Sequence, residues 1–221
     1  MALSIVLAFI GEGSTDNRFL PNIAGRLIEQ LLLEKNTSAT IQWQTIEKNG
    51  EGAAQIIYNA AKQAKYCTTL IVHCDADARN SKNAFTTRIK PGLDAIEESV
   101  EAICDNITVV IPITETEAWL LVDKELLKEE MNTTLSNHDL GLTYQLNKIE
   151  SIADPKQKLK DAIHIHHQNL PRKRRRSAVT ISELYEPISQ QVELSKLEVL
   201  VAYNNFKQEI INALRYKHIL D

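Results

Sequence analysis

The sequence predicts an α/β fold: a mostly parallel sheet of about four strands flanked by helices, followed by a C-terminal helical extension. Three observations carry that expectation. Short apolar runs of strand length alternate with segments whose apolar residues recur every three or four positions, the order that builds parallel strands with right-handed crossovers. Three of those runs stop at acidic clusters. Beyond about residue 124 no strand-like run recurs, so residues 1–124 are expected to form the α/β core and residues 125–221 a mostly helical cover packed on it. A chain of 221 residues is long enough for one such core with its extension.

The first strand is expected at residues 4–10. That apolar opening is not preceded by a positively charged stretch and meets Glu12 two residues on, so it reads as a core strand rather than a signal peptide or membrane span. A helix follows to about residue 34, with Phe19, Leu20, Ile23, Leu27 and Leu31 at the spacing of one buried stripe. Ile41-Gln42-Trp43-Gln44-Thr45-Ile46 alternates apolar and polar, as a half-buried strand nearer the sheet edge does. Gly50-Glu51-Gly52 opens a helix through about residue 65, residues 69–73 form the third strand, residues 91–104 a helix, and residues 107–113 the fourth strand. A helical segment is expected at residues 118–122. Asp154-Pro155 reads as an N-cap with proline at the first helical position, leading a helix to about residue 167. Thr180 with Glu183, and Ser195 with Glu198, both match capping-box spacing.

The acidic clusters carry the chemistry. Gly11-Glu12-Gly13-Ser14-Thr15-Asp16 follows the first strand, Cys74-Asp75-Ala76-Asp77 the third, and Thr114-Glu115-Thr116-Glu117 the fourth. Open α/β sheets bind ligands in the crevice at the carboxyl ends of their strands. Carboxylates crowded there repel one another, and a hard dication relieves them: Mg²⁺ takes oxygen ligands, typically one or two carboxylates with waters and substrate phosphates. Asp75 and Asp77, two apart in an extended segment, share a face and can address one ion. Glycines beside Glu12 allow close approach of backbone and ligand. Taken singly, each motif reads equally as a tight turn or a helix cap; having both at consecutive core-strand ends points to a metal site.

Gly11-Glu12-Gly13-Ser14-Thr15-Asp16 after a first strand, with His73-Cys74-Asp75-Ala76-Asp77 after a later one, resembles the Toprim domain. That Rossmann-like fold is shared by type IA and type II topoisomerases, bacterial primases, recombination-repair proteins and the overcoming-lysogenization-defect nucleases. The opening Glu-Gly-x-Thr-Asp is most similar to the last group. The stretch Pro112-Ile113-Thr114-Glu115-Thr116-Glu117-Ala118-Trp119-Leu120-Leu121-Val122-Asp123, with Asp154-Pro155-Lys156, resembles a bacterial group of Toprim-like proteins. The resemblance implies that Glu12 is a general acid/base or metal ligand, that Asp75 and Asp77 bind Mg²⁺ or Mn²⁺ (one or two ions), and that Glu117 or Glu115 completes a second position. Glu117 and Asp123 read equally as helix residues, Glu117 favoured by the N-terminal dipole. Trp119 and Leu120 read as core.

It further implies a metal-dependent nuclease acting on DNA or RNA, in the manner of a phage-defence effector beside an ATPase supplied by another chain; no Walker-type phosphate loop is present here. A topoisomerase would need a tyrosine nucleophile, and Tyr144, Tyr185 and Tyr203 all read as ordinary helical residues. The formal net charge of −4 excludes a globally basic nucleic-acid binder, so any basic footprint is local. Arg172-Lys173-Arg174-Arg175-Arg176 is such a footprint, an expected grip on phosphate backbone, or else a solvated loop. Arg79, Lys82, Arg88 and Arg18 suit either substrate phosphate or ion pairs. His164 and His167 share a helix face, but with no cysteine or carboxylate nearby the three histidines at 164, 166 and 167 read as surface residues. Cys67, Cys74 and Cys104 lack metal spacing and read as buried thiols of a reducing, cytoplasmic protein with no membrane segment. The alternatives to a nuclease are a non-catalytic binding or regulatory module on the same scaffold, or phosphotransfer on a small substrate.

Overall fold

A computed structural model describes residues 3–171 and 179–220. The basic run at 172–176 therefore lies outside the described residues. Four strands, β1 (Leu3–Ile10), β2 (Ala39–Gln44), β3 (Thr69–His73) and β4 (Ile107–Val110), form one all-parallel sheet in the order β2-β1-β3-β4. The arrangement is Rossmann-like, as the alternation of runs predicts. Ile46 lies beyond β2, which is an edge strand, as its half-polar pattern requires.

Along β1 the side chains alternate between two cores. Ile5 and Leu7 join Ile71 and Val110 on one face, packed against α1 (Asp16–Glu34); Ala8 and Ile10 join Leu70 and Val72 on the other, packed against α2 (Ala53–Gln63). Burial on both faces is why these strands are nearly continuously apolar. The next helix begins earlier than its sequence suggests. α3 (Lys82–Ala84), a π-helical turn (Phe85–Ile89) and α4 (Lys90–Glu97) run together, ahead of an irregular stretch from about residue 98. Pro91, with no amide proton to give the preceding turn, sits at the start of α4, and the π turn lies immediately before it.

α4 crosses α2 at Gly92, where an added Cβ would meet Ile57 Cβ at 2.7 Å and Cγ2 at 2.9 Å. Ile57 is buried and β-branched, so it has little room to yield. Gly92→Ala is expected to destabilise the fold by about 1–3 kcal/mol from overpacking, less up to about 1 kcal/mol of helix propensity. Urea unfolding measures this; a gain in stability would show that α2 and α4 can separate freely.

After β4 the chain is helical: α5 (Glu117–Leu120), α6 (Lys124–Glu130), a 3₁₀ turn (Leu146–Ser151), α7 (Pro155–Asn169), α8 (Ile181–Gln191), α9 (Leu194–Leu197) and α10 (Val201–Tyr216). Two N-caps behave as their sequences predict, and Asp123 adds a third. Asp123 and Asp154 accept the amides of Leu126 and Gln157, and Thr180 and Glu183 make a full capping box. The other predicted box does not form: Ser195 lies inside α9, whose N-cap is Glu193, because the buried Leu194 begins the turn one residue earlier. α10 is capped from a distance instead, with Glu150 accepting the amides of Val201 and Ala202 at 2.8 Å each.

These helices share a core with the sheet. Arg26 of α1 donates to the carbonyls of Ser189 and Val192 at 2.7 Å each, and Trp119, fully buried, meets the ring edges of Phe19 and Tyr203. Trp119 and Leu120 are core residues, as expected. The histidines differ from expectation: His164 is exposed, but His166 is buried and His167 reaches the Val179 carbonyl at 3.0 Å. Among the described residues no helix is long and apolar enough to cross a membrane.

Tyr185 and Tyr203 are buried; Tyr144 is half-buried and lies outside any helix, donating to the Leu121 carbonyl at 2.7 Å. Burial raises the phenols of Tyr144 and Tyr185 and pushes that of Tyr203 up to about 12. An unfolded tyrosine titrates near ~10, so the folded state prefers the protonated form. Stability is therefore expected to be whole below about pH 10 and to fall as pH rises toward 12, with tyrosinate absorbance appearing together with unfolding. Tyrosinate forming without any loss of structure would contradict this.

Candidate functional site

Strand order places the site. β1 connects through α1 to β2 on one side, and α2 then returns the chain to β3 on the other. The connections thus diverge between β1 and β3, a topological switch point whose carboxyl-end crevice is where doubly wound sheets bind ligands. The register sets Ile10 opposite Val72, so the residues just beyond, Glu12 and Asp75, emerge side by side. The Asp75 amide lies 3.5 Å from Glu12 Oε2.

Local geometry refines the three acidic loops. Gly11 is required by close packing, since a Cβ there would meet the Phe9 ring at 2.8 Å. The Asp16 carboxylate folds back onto the Gly13 amide at 2.9 Å and closes the first loop. Past β3 and β4 the two chains remain tied, Ala76 N–H to the Pro112 carbonyl at 2.9 Å and Asp77 N–H to the Thr114 carbonyl at 3.0 Å. Asp77 (φ 49°) and Thr114 (φ 64°) are both left-handed, a costly conformation for residues with a Cβ that clusters at functional sites. The premise that Asp75 and Asp77 lie on one face of an extended segment therefore fails. The left-handed turn sends their carboxylates to different partners.

Asp75 faces inward. Its Oδ1 accepts from the Thr116 amide at 2.9 Å and the Thr116 hydroxyl at 3.1 Å, and His73 Nε2 stands 3.4 Å away. His73 is buried between Asp75 and Asp16, with Nδ1 3.8 Å from Asp16 Oδ2. Burial raises the Asp16 carboxyl above the ordinary carboxylate range; His73 opposes this and Asp75 adds to it. Asp77 faces Arg88, whose Nη2 is 2.5 Å from Asp77 Oδ2; Nη1 reaches Glu12 Oε1 at 3.2 Å and the Asp75 carbonyl at 3.1 Å. Lys48 donates to the carbonyls of Gly11 and Glu12 at 3.1 and 3.0 Å, bracing the loop from the side.

The third loop forms an adjoining half. Glu117, buried at the first turn of α5, pairs with Lys156 at 2.7 Å. Glu117 beside it holds the Lys156 ammonium above its ordinary value. Glu115 keeps one carboxylate oxygen buried without a hydrogen bond among the described residues, and burial, with Glu117 next, raises its carboxyl.

The structure thus brings Glu12, Asp75 and Asp77 together, with Glu117 and Glu115 beside them. It does not pre-assemble them as a ligand set: among the described residues no three His, Cys, Asp or Glu side chains stand ready to hold a metal ion. Arg88 stands between Glu12 and Asp77, paired with both, while the Asp75 carboxylate is turned to Thr116. The donors themselves are carboxylate oxygens, the type Mg²⁺ and Mn²⁺ require, and one cationic group already sits among them. In donor chemistry the residues fit a hard dication; in this conformation a guanidinium lies among them. Arg79 is exposed two residues beyond Asp77; Lys82 is exposed at the start of α3 and Arg18 in the first turn of α1. Sequence reasoning missed His73, Thr116, Lys48 and Lys156. A histidine closing an apolar strand was a visible signal, and Thr116 and Lys156 lie inside the quoted motifs without a role assigned; nothing local marks Lys48.

A family match spans residues 11–198, from the Gly11 turn to the end of α9. The chain belongs to the family described as a domain of unknown function, DUF4276. The match covers all three acidic loops, Arg88 and Lys156, so the whole site lies within the DUF4276 region. No curated protein and no solved structure matches the chain.

Proposed function

We propose that this DUF4276 chain is a Mg²⁺- or Mn²⁺-dependent phosphodiesterase of Toprim type, a nuclease acting on DNA or RNA. One observation carries the reading: carboxylates from the ends of β1 and β3 meet around a cationic group at the switch point of the sheet. Glu12, Asp75 and Asp77 would hold the dication, with Glu117 and Glu115 next to it. When bound, the ion neutralises charge developing on the phosphodiester and orients the attacking water.

The chain's own groups prepare that site. Thr116 fixes the Asp75 carboxylate by two donors, His73 supports it from beneath, and Lys48 fixes the backbone that carries Glu12. Glu12, half exposed beside Asp75, is placed to take a proton from water or return one to a leaving oxygen. Lys156, from the helical region, offsets the charge of Glu117. Arg79 and the run at 172–176 supply phosphate contacts without sequence choice. A separate ATPase chain, and a role in phage defence, belong to this proposal through the Toprim resemblance.

The pairing of Arg88 with Glu12 and Asp77 favours a second reading, a Toprim-like binding module whose carboxylates are neutralised internally. Calorimetry with Mg²⁺ and Mn²⁺, followed by cleavage assays on DNA and RNA, separates the two. The nuclease reading expects specific dication uptake and dication-dependent cleavage; the module reading expects no specific uptake and no cleavage of either polymer.

A further inference from the structure

We propose that Arg88 is a displaceable counter-ion, holding the dication's place between Glu12 and Asp77 until a substrate phosphate draws the guanidinium away. Dication uptake and phosphate binding are then coupled through one side chain. The inference deepens the metal-site reading above and rests on it.

The geometry makes the two occupants exclusive. Arg88 Nη1 and Nη2 contact Glu12, Asp77 and the Asp75 carbonyl, the same segments whose oxygens a dication would use. A guanidinium and a dication cannot share those oxygens at contact distance, because like charges repel there. Nor is Arg88 locked in. Its side chain is 35% exposed, and the Glu12 and Asp77 side chains it pairs with are 43% and 57% exposed. Ion pairs that wet are weak and open readily. Arg88 also sits in the π-helical turn Phe85–Ile89, a rare backbone feature that occurs frequently at functional sites.

Space exists for the alternative position. A pocket of about 140 Å³ lies against the site, with Glu12, Lys48 and Arg88 among its lining and Ile10, Ile56 and Ile89 as apolar wall. A phosphate entering there meets two cations beside the Glu12 carboxylate, and the planar guanidinium fork matches phosphate oxygens better than it matches two carboxylates on separate loops. Phosphate binding vacates the carboxylates, and by thermodynamic reciprocity a dication seated on them favours phosphate equally.

The test is calorimetric titration of the full chain with Mn²⁺, with and without a phosphorothioate-linked dinucleotide. It compares wild type with Arg88→Met, which keeps the stem and removes the charge, and Arg88→Lys, which keeps the charge without the fork. Wild type is expected to bind Mn²⁺ weakly alone and about tenfold more tightly with the dinucleotide, within the usual range of such couplings. Arg88→Met should bind Mn²⁺ alone about tenfold more tightly than wild type, and the dinucleotide should add nothing. Arg88→Lys should resemble wild type for Mn²⁺ alone and lose most of the coupling. If Arg88→Met does not fold, Arg88→Lys decides: coupling undiminished overturns the proposal. Equal Mn²⁺ affinity in wild type and Arg88→Met overturns it too, while leaving the metal site standing. No uptake by any of the three proteins removes the metal site itself.

Discussion

Asp75→Asn is expected to abolish dication-dependent cleavage, lowering the rate by about 10³ or more, on the scale of several kcal/mol of charge stabilisation. The substitution is nearly isosteric. The asparagine oxygen can still accept from the Thr116 amide, which donates to Asp75 Oδ1 at 2.9 Å, so the loop should hold its shape. What disappears is one negative charge at the junction of β1 and β3. That charge adds to the burial that raises the neighbouring Asp16 carboxyl, so the melting temperature without metal should be unchanged or higher. Loss of activity with retained stability is the signature that distinguishes a ligand from a structural residue. Glu12→Gln should also lose cleavage, while the exposed Arg18→Ala should behave as wild type. Cleavage persisting in both Asp75→Asn and Glu12→Gln would remove these carboxylates from any mechanism.

Trp119→Ala is expected to be the most damaging single change to the fold, at about 3–5 kcal/mol. Trp119 is fully buried, 6.4 Å from the Phe19 ring of α1, 5.7 Å from Tyr203 and 6.4 Å from Phe206 of α10, centroid to centroid. It joins the helix that follows β1 to the last helix of the chain, so the cavity opens where sheet cover and helical region meet. One feature moderates the cost: its indole N–H is buried without a hydrogen bond among the described residues, and removing an unpaired donor returns about 1–3 kcal/mol. The net loss should therefore fall toward the lower end. Trp119→Phe, which keeps most of the ring area, should cost less than half as much in urea unfolding. Because Trp119 lies two residues from Glu117, the alanine variant should also weaken Mn²⁺ uptake; equal stability of both variants would place the rings' contribution elsewhere.

The sheet was legible because strands buried on both faces are nearly unbroken apolar runs, and the observed bounds of β3 match the predicted ones. Half-polar β2 announced its edge position. Helix boundaries were less legible where tertiary packing sets them: α9 begins at buried Leu194, and α10 takes its cap from Glu150, 52 positions before Ala202. The acidic clusters were visible as residue types at strand ends, but their orientation was not. A left-handed turn at Asp77 depends on pairing with the Thr114 loop, a contact between residues 37 positions apart that no local pattern encodes.

By itself the sequence determined the alternation of strand and helix, the three acidic loops and their places at strand ends, because periodicity and turn chemistry act over a few residues. Only the tertiary structure decided that β1 and β3 are neighbours at the switch point, that Arg88 enters from the π turn to hold Glu12 and Asp77, and that Lys156 arrives from the helical region to meet Glu117. Those contacts depend on strand order and helix docking, which long-range burial sets. An arginine or lysine in sequence carries no mark of which carboxylate it will meet.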